Sequence, residues 1–147
     1  MEKSTMKKNA IVDVYTVKAG DYQTAGDASS TIKRKLKQLG VDSGILRRIA
    51  VASYEVELNL IIHSQGGMLT MKMTPEEIQL TCEDVGPGIA DIEEALREGY
   101  STASEEARTL GFGAGMGLPN MRRNADDFYM ESELGKGTTI KMRFALQ

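Results

Sequence analysis

Apolar and polar positions alternate or recur with clear periods along this chain. From Ile11 to Val17 β-branched and aromatic residues dominate, and Gly20 and Asp21 follow, which predicts a first strand. Between about Ala25 and Leu39, Ile32, Leu36 and Leu39 recur at helical spacing among Lys33, Arg34, Lys35 and Lys37. That pattern predicts an amphipathic helix whose basic run is its solvated face, with Gly40 as the stop. A second helix is expected from a cap at Asp42 or Ser43 to about His63.

On the second helix, at roughly 100° per residue, Ile45, Ile49, Ala52, Val56 and Leu60 fall within an arc of about 80°, which predicts the buried face. Glu55, Asn59 and His63 are spaced four apart and form a polar stripe beside it, and Glu57 is expected to point well away. A carboxylate, an amide and an imidazole at the margin of a buried face are costly to desolvate without partners. As plain boundary residues they would bond water or neighbours. Next to an anionic ligand and a divalent cation, the carboxylate can serve as a general base and the amide oxygen can bind Mg²⁺.

After a turn at residues 64–67, Met68 to Met73 and Glu77 to Glu83 read as a hairpin joined by Thr74-Pro75-Glu76. Ile78, Leu80, Cys82 and Asp84 share one face, so Asp84 extends an apolar, inward row just before Gly86. A short helix is expected from Asp91 to Glu98, then a small polar stretch beginning Gly99-Tyr100-Ser101-Thr102. The segment at about 89–112 is a candidate lid, since a long connection between two glycine motifs tends to be functional. Gly117 to Ala125 predicts a helix, Phe128 to Glu133 a strand, Leu134 to Gly137 a turn and Thr138 to Ala145 the last strand. Thr138 falls on the inward face with Ile140, Met142 and Phe144.

Composition narrows the possibilities. The 147 residues suit a single domain, placed at 10–147 after a frayed start at 1–9, and 41% hydrophobic with 27% charged residues is ordinary for a globular protein. A net charge of -3 leaves no basic stripe for nucleic acid, and the single cysteine, Cys82, excludes an internal disulfide and suits a reducing cytoplasm. No run is apolar and long enough for a signal peptide or a membrane span.

Two glycine-rich loops carry the chemistry: Asp84-Val85-Gly86-Pro87-Gly88, and Gly111-Phe112-Gly113-Ala114-Gly115-Met116-Gly117-Leu118, which runs into a helix. Glycine lets backbone amides approach a phosphate closely, and a helix start favours negative charge, so the pair reads as an ATP pocket with Asp84 as an acceptor for an exocyclic amine. The P-loop pattern is absent, because Gly135-Lys136-Gly137-Thr138 lacks the upstream glycine and a strand-to-helix setting. The second loop departs from the dinucleotide fingerprint at Met116. Ordinary protein-kinase motifs are missing, and one Cys with one His argues against zinc.

Glu55-x-x-x-Asn59, Asp84-x-Gly86-x-Gly88, Gly113-x-Gly115-x-Gly117 and Gly137-Thr138 stand in the order of the four ATP-binding boxes of the gyrase, Hsp90, histidine-kinase and MutL superfamily. The chain resembles that superfamily from its first strand onward. Its size and Asn59-Leu60-Ile61-Ile62-His63 look most like the bacterial anti-sigma-factor and switch-protein serine kinases. The resemblance implies an α+β fold, a two-layer α/β sandwich with helices on one face of a mixed, mostly antiparallel sheet.

It also implies roles. Asn59 would ligate Mg²⁺, Asp84 would bond the adenine amine, and Thr138 would help hold adenine. Gly113, Gly115 and Gly117 would offer amides to the phosphates, and Glu55 would take the proton from an incoming serine. His63, Gly86, Gly88, Ile89, Met116 and Leu118 would complete the nucleotide contacts. The substrate would be a small protein of the anti-sigma-antagonist type. A sigma factor is a possible further partner, and the first strand permits a homodimer. One departure stands out: Gly113-Ala114 occupies the approach where an arginine often reaches the terminal phosphate, leaving Arg97 or Arg108 to substitute. Two other readings stay open. One is a nucleotide-dependent anti-sigma or regulator-binding module without phosphotransfer, the other a detached histidine-kinase catalytic domain.

Overall fold

A computed structural model describes residues 10–62, 64–86, 88, 92, 96–97 and 117–146. Expectations for the start at 1–9 and for most of the segment at 89–112 lie outside these residues. The described elements are β1 (Ile11–Val17), α1 (Asp27–Gln38), α2 (Ser43–Ile62), β2 (Gly67–Met73), β3 (Glu77–Asp84), α3 (Gly117–Asn124), β4 (Asp127–Glu133) and β5 (Gly137–Ala145), with a short 3₁₀ turn at Tyr22–Thr24.

The strands form one sheet in the order β1-β2-β3-β5-β4, and every pairing is antiparallel. The expected predominance of antiparallel pairing is therefore complete among the described strands. Alternation sets the two faces of this sheet. Leu69, Met71, Ile78, Leu80, Cys82, Ile140, Met142 and Phe144 are buried beneath the helices, while Val12, Val14, Met68 and Tyr129 are exposed on the outer face. On the helical side Ile32, Leu36, Ile49, Ala52, Val56, Leu60 and Met121 are fully covered and join the same core.

Helix α1 ends as its glycine requires. Gly40, at φ 85°, donates to the Lys37 carbonyl, and Val41 donates to that of Leu36, the paired bonds of a Schellman stop. Leu39 is the departure: it caps the helix 45% exposed, so only Ile32 and Leu36 of the predicted triplet reach the core. The basic run is largely solvated, with Lys33, Arg34 and Lys37 exposed, although Lys35 reaches Asp13 on β1 at 2.5 Å. Helix α2 is capped by Asp42, whose Oδ2 accepts the amides of Gly44 and Ile45 at 3.0 and 3.3 Å.

The wheel for α2 needs one correction. Glu57 does not point away into water; it is 2% exposed. The buried face is wider than the predicted arc and takes in Leu46, Ser53, Leu58 and Ile61, because α2 packs against both other helices as well as the sheet. Glu57 lies on the side that meets α1. Gly26, which opens α1, has no side chain to cap it, and Glu57 accepts the amides of Gly26, Ala28 and Ser29 instead. A carboxylate at a helix start satisfies orphan donors and complements the positive end of the helix dipole.

Candidate functional site

The site is best described as two ends joined by α2. At one end β3 and β5 lie side by side and place the Asp84 carboxylate against the start of β5. Asp84 Oδ1 accepts the Thr138 amide at 2.7 Å. The Thr138 hydroxyl lies 2.8 Å from Ser132 Oγ, and Thr138 is buried. Gly137 makes this approach possible: at φ 145°, an added Cβ would stand 2.3 Å from the Asp84 carbonyl oxygen and 2.9 Å from its Oδ1. Partial burial raises the Asp84 carboxyl above the ordinary carboxylate range, and the Thr138 amide opposes that rise.

The first glycine motif runs on from Asp84. Gly86 donates to the Lys136 carbonyl at 3.4 Å, and a Cβ on Gly88 would meet the Glu133 carbonyl oxygen at 2.4 Å. Both glycines therefore press against the turn between β4 and β5.

At the other end α2 faces α3. A Cβ on Gly117 would lie 3.4 Å from Asn59 Oδ1 and 3.8 Å from Glu55 Oε2. Both are ordinary contact distances, so the start of α3 lies directly against the carboxylate and the amide. Leu118 and Pro119 are buried, Leu118 within the hydrophobic core, and they anchor the first turn of α3. The far end of α3 is tied down by Arg48 of α2, which donates to the Asn124 carbonyl at 2.8 Å and to Asp126 at 3.0 Å. Its guanidinium also lies 6.0 Å from the centre of the Phe144 ring.

The two ends are connected through the close of α2. Just beyond it, Gln65 donates to the Val85 carbonyl at 2.7 Å, and Val85 donates to that of Gly66 at 3.0 Å. Asn59 thus lies in the last turn of α2, six residues before Gln65, which braces the Asp84 loop.

The structure brings Glu55, Asn59 and Gly117 together, and separately Asp84, Gly86, Gly88 and Thr138. His63, Ile89, Gly113, Gly115 and Met116 lie outside the described residues. So does Arg108; Arg97 is described, and with Leu96, Pro119, Arg122 and Arg123 it lines a cleft of about 490 Å³ beside α3.

Sequence reasoning missed Asn120. Its Nδ2 donates to Glu55 Oε2 at 3.1 Å, and its Oδ1 accepts from Arg123 at 2.9 Å. The available signal was position: Asn120 lies three residues after Gly117, on the helix that the second glycine motif opens.

A carboxylate and an amide at the mouth of a helix start, with a second carboxylate held between two central strands, match the arrangement expected of a nucleotide-binding ATPase domain. The chain belongs to the histidine kinase-, DNA gyrase B- and HSP90-like ATPase family, whose model matches residues 44–147. The resemblance read from the four motifs is thereby borne out. Among individual relatives, it is similar to the serine/threonine-protein kinase RsbT of Bacillus subtilis, 30% identical over 109 residues, 71% of this chain and 76% of that protein. It is similar also to the anti-sigma F factor of Geobacillus stearothermophilus, 32% identical over 124 residues, 80% of this chain and 82% of that protein.

Solved structures share the fold. A chain of the SiaB-SiaC complex from Pseudomonas aeruginosa superposes with a TM-score of 0.57 at 8% identity, covering 99% of this chain and 95% of that one. The catalytic domain of the histidine kinase ThkA gives 0.53 at 13% identity, covering 92% and 96%. Among the described residues, no helix is long and apolar enough to cross a membrane.

Proposed function

We propose that this chain is a cytoplasmic ATP-dependent serine/threonine protein kinase that works as a regulatory switch. The observation that carries the reading is the meeting of Glu55 and Asn59 in front of Gly117, where a Cβ would touch both side chains. An acceptor carboxylate and an amide oxygen beside a helix start suit a magnesium-bound phosphate chain. Magnesium prefers one or two protein groups with phosphate and water completing its shell, which is the part Asn59 would play. Mg·ATP would supply the transferable phosphoryl group. Gly117, with Gly113 and Gly115, would present amides to it, and Asp84 with Thr138 would hold adenine at the far end. His63, Gly86, Gly88, Ile89, Met116 and Leu118 would complete the pocket.

Glu55 has the role of general base. As the acceptor hydroxyl oxygen forms its bond to the terminal phosphorus, the bond to the bridging oxygen of ADP breaks, and the hydroxyl proton passes to Glu55. Positioning and charge neutralisation provide most of the acceleration in such a transfer. An arginine from the cleft beside α3, Arg97 foremost, would offset charge on the terminal phosphate.

The acceptor is a serine or threonine on a small protein of the anti-sigma-antagonist type. Phosphorylation adds nearly two negative charges at that interface and would release the partner. The similarity to an anti-sigma F factor favours a sigma factor as a second client, and the exposed Val12 and Val14 on the edge strand would suit a homodimer.

The test is transfer of labelled terminal phosphate from Mg·ATP to an antagonist-type protein encoded beside this chain. Wild type transfers label, while Glu55→Ala binds Mg·ATP and does not. Partner exchange without any transfer, unchanged in Glu55→Ala, would replace the kinase by a nucleotide-dependent binding module.

A further inference from the structure

Glu55 does not stand alone. Asn120 on α3 donates from Nδ2 to Glu55 Oε2 at 3.1 Å, across 65 residues of sequence. Arg123, one turn further along α3, donates to Asn120 Oδ1 at 2.9 Å. Asn124 Nδ2 donates to the Asn120 carbonyl at 2.8 Å, so the backbone at this position is held as well.

The orientation of the Asn120 amide is dictated by its neighbours. A guanidinium only donates, so the oxygen of Asn120 must face Arg123. The amide nitrogen must then face Glu55, and an ionised carboxylate only accepts, so the match is complete. Reversing the amide would oppose donor to donor at one end and acceptor to acceptor at the other. Arg123 therefore fixes the sense in which Asn120 meets Glu55.

We propose that Asn120, oriented by Arg123, is the positioning residue for the general base. This inference rests on the kinase reading of the site. The bond to Asn120 takes one lone pair of Oε2, the carboxylate oxygen nearest Gly117, and restrains the carboxylate there, leaving its remaining lone pairs for the proton. A lysine or arginine in direct contact would hold Glu55 as an anion and make it a weaker base. A neutral amide orients the group without placing a full charge on it, and the Arg123 charge acts one group removed. The same bond links the base to the first turn of α3, three residues after Gly117.

The experiment compares wild type, Asn120→Leu, Asn120→Gln, Glu55→Ala and the double variant Glu55→Ala with Asn120→Leu. Formation of ADP from Mg·ATP, with water as the acceptor, gives kcat and KM, and calorimetry gives Mg·ATP affinity. Asn120→Leu lowers kcat about tenfold or more with KM and affinity within about twofold, because orientation of the base is lost while the nucleotide contacts stay. Asn120→Gln, which keeps the donor, recovers part of the loss. In the Glu55→Ala background Asn120→Leu produces no further fall, as expected for groups acting as a unit.

A merely structural contact gives a different pattern: Asn120→Leu would lower kcat by the same factor with or without Glu55. That result, or kcat within twofold of wild type in Asn120→Leu, overturns the positioning role and leaves the kinase reading standing. Wild type that binds Mg·ATP but forms no ADP and transfers no label overturns the kinase reading itself.

Discussion

Glu57 Oε1 accepts the backbone amide of Ser29 at 3.0 Å, from a helix that begins fourteen residues after Ser29. With the bonds from Gly26 and Ala28 to Oε2, one side chain of α2 caps the whole start of α1. Replacing it by alanine removes three charge-assisted bonds and leaves three amide donors, that of Ser29 buried, without this acceptor. Glu57→Ala is expected to cost about 3 kcal/mol and lower the melting temperature by about 10 °C in thermal unfolding. Glu57→Gln, which still offers one acceptor oxygen, should lose roughly half as much. Two variants with equal and negligible losses would remove the cap from the account of this fold.

Gly137 separates backbone strain from contact. Gly135 and Gly137 both have positive φ, 82° and 145°, but a Cβ on Gly135 meets nothing within 4 Å, whereas one on Gly137 collides with Asp84. Gly135→Ala should cost about 1 kcal/mol and leave Mg·ATP affinity unchanged. Gly137→Ala must displace Asp84, so nucleotide affinity is expected to fall more than about tenfold in calorimetry, a loss of at least 1.4 kcal/mol of binding. Equal affinities for the two variants would separate Asp84 from adenine.

Asp84 sets function against stability. Partial burial raises its carboxyl in the folded state, so the empty domain binds its proton more tightly than the unfolded chain does. The sign follows directly: this group penalises folding once both states are ionised, and the penalty is relieved as pH falls through the raised value toward the ordinary 3.8. Asp84→Asn should therefore melt higher than wild type at pH 7 without nucleotide, with the gap closing in mildly acidic buffer. In the proposed site the same variant should bind Mg·ATP more weakly, because the amide would turn a donor toward the adenine amine. A melting gap that widens on acidification would contradict the argument.

Cys82 is a reporter of the intact sheet. It is 3% exposed in the central strand, and burial, assisted by Asp84 and Glu83, pushes its thiol up to about 12. The native protein should resist thiol reagents at pH 8, and labelling should rise along the unfolding curve. Rapid labelling without loss of structure would show that β3 opens on its own.

The sequence revealed the elements whose periods are strong and local. β1 was bounded to the residue, and the inward row Ile78-Leu80-Cys82-Asp84 survives in β3 because alternation needs no knowledge of the partner strand. Asp84 and Thr138, each placed at the inward edge of its own strand, prove to be neighbours across the β3 and β5 pairing. What could not be read was anything set by one helix lying on another. Glu57 looked solvated because a wheel for α2 contains no information about α1, and Asn120 looked unremarkable because its partner lies 65 residues away. Leu39 fitted the helical period yet fell at the cap, where the backbone turns its side chain outward.

The strand order has a consequence for synthesis. β5, the last strand of the described sheet, is inserted between β3 and β4 rather than added at an edge, and its first residues complete the Asp84 end of the site. A nascent chain still short of residue 137 has α2 with Glu55 and Asn59, but lacks the Thr138 amide that braces the Asp84 carboxylate. Ribosome-bound or prematurely terminated polypeptides would therefore be silent toward nucleotide, and the cell would meet this switch only in finished form.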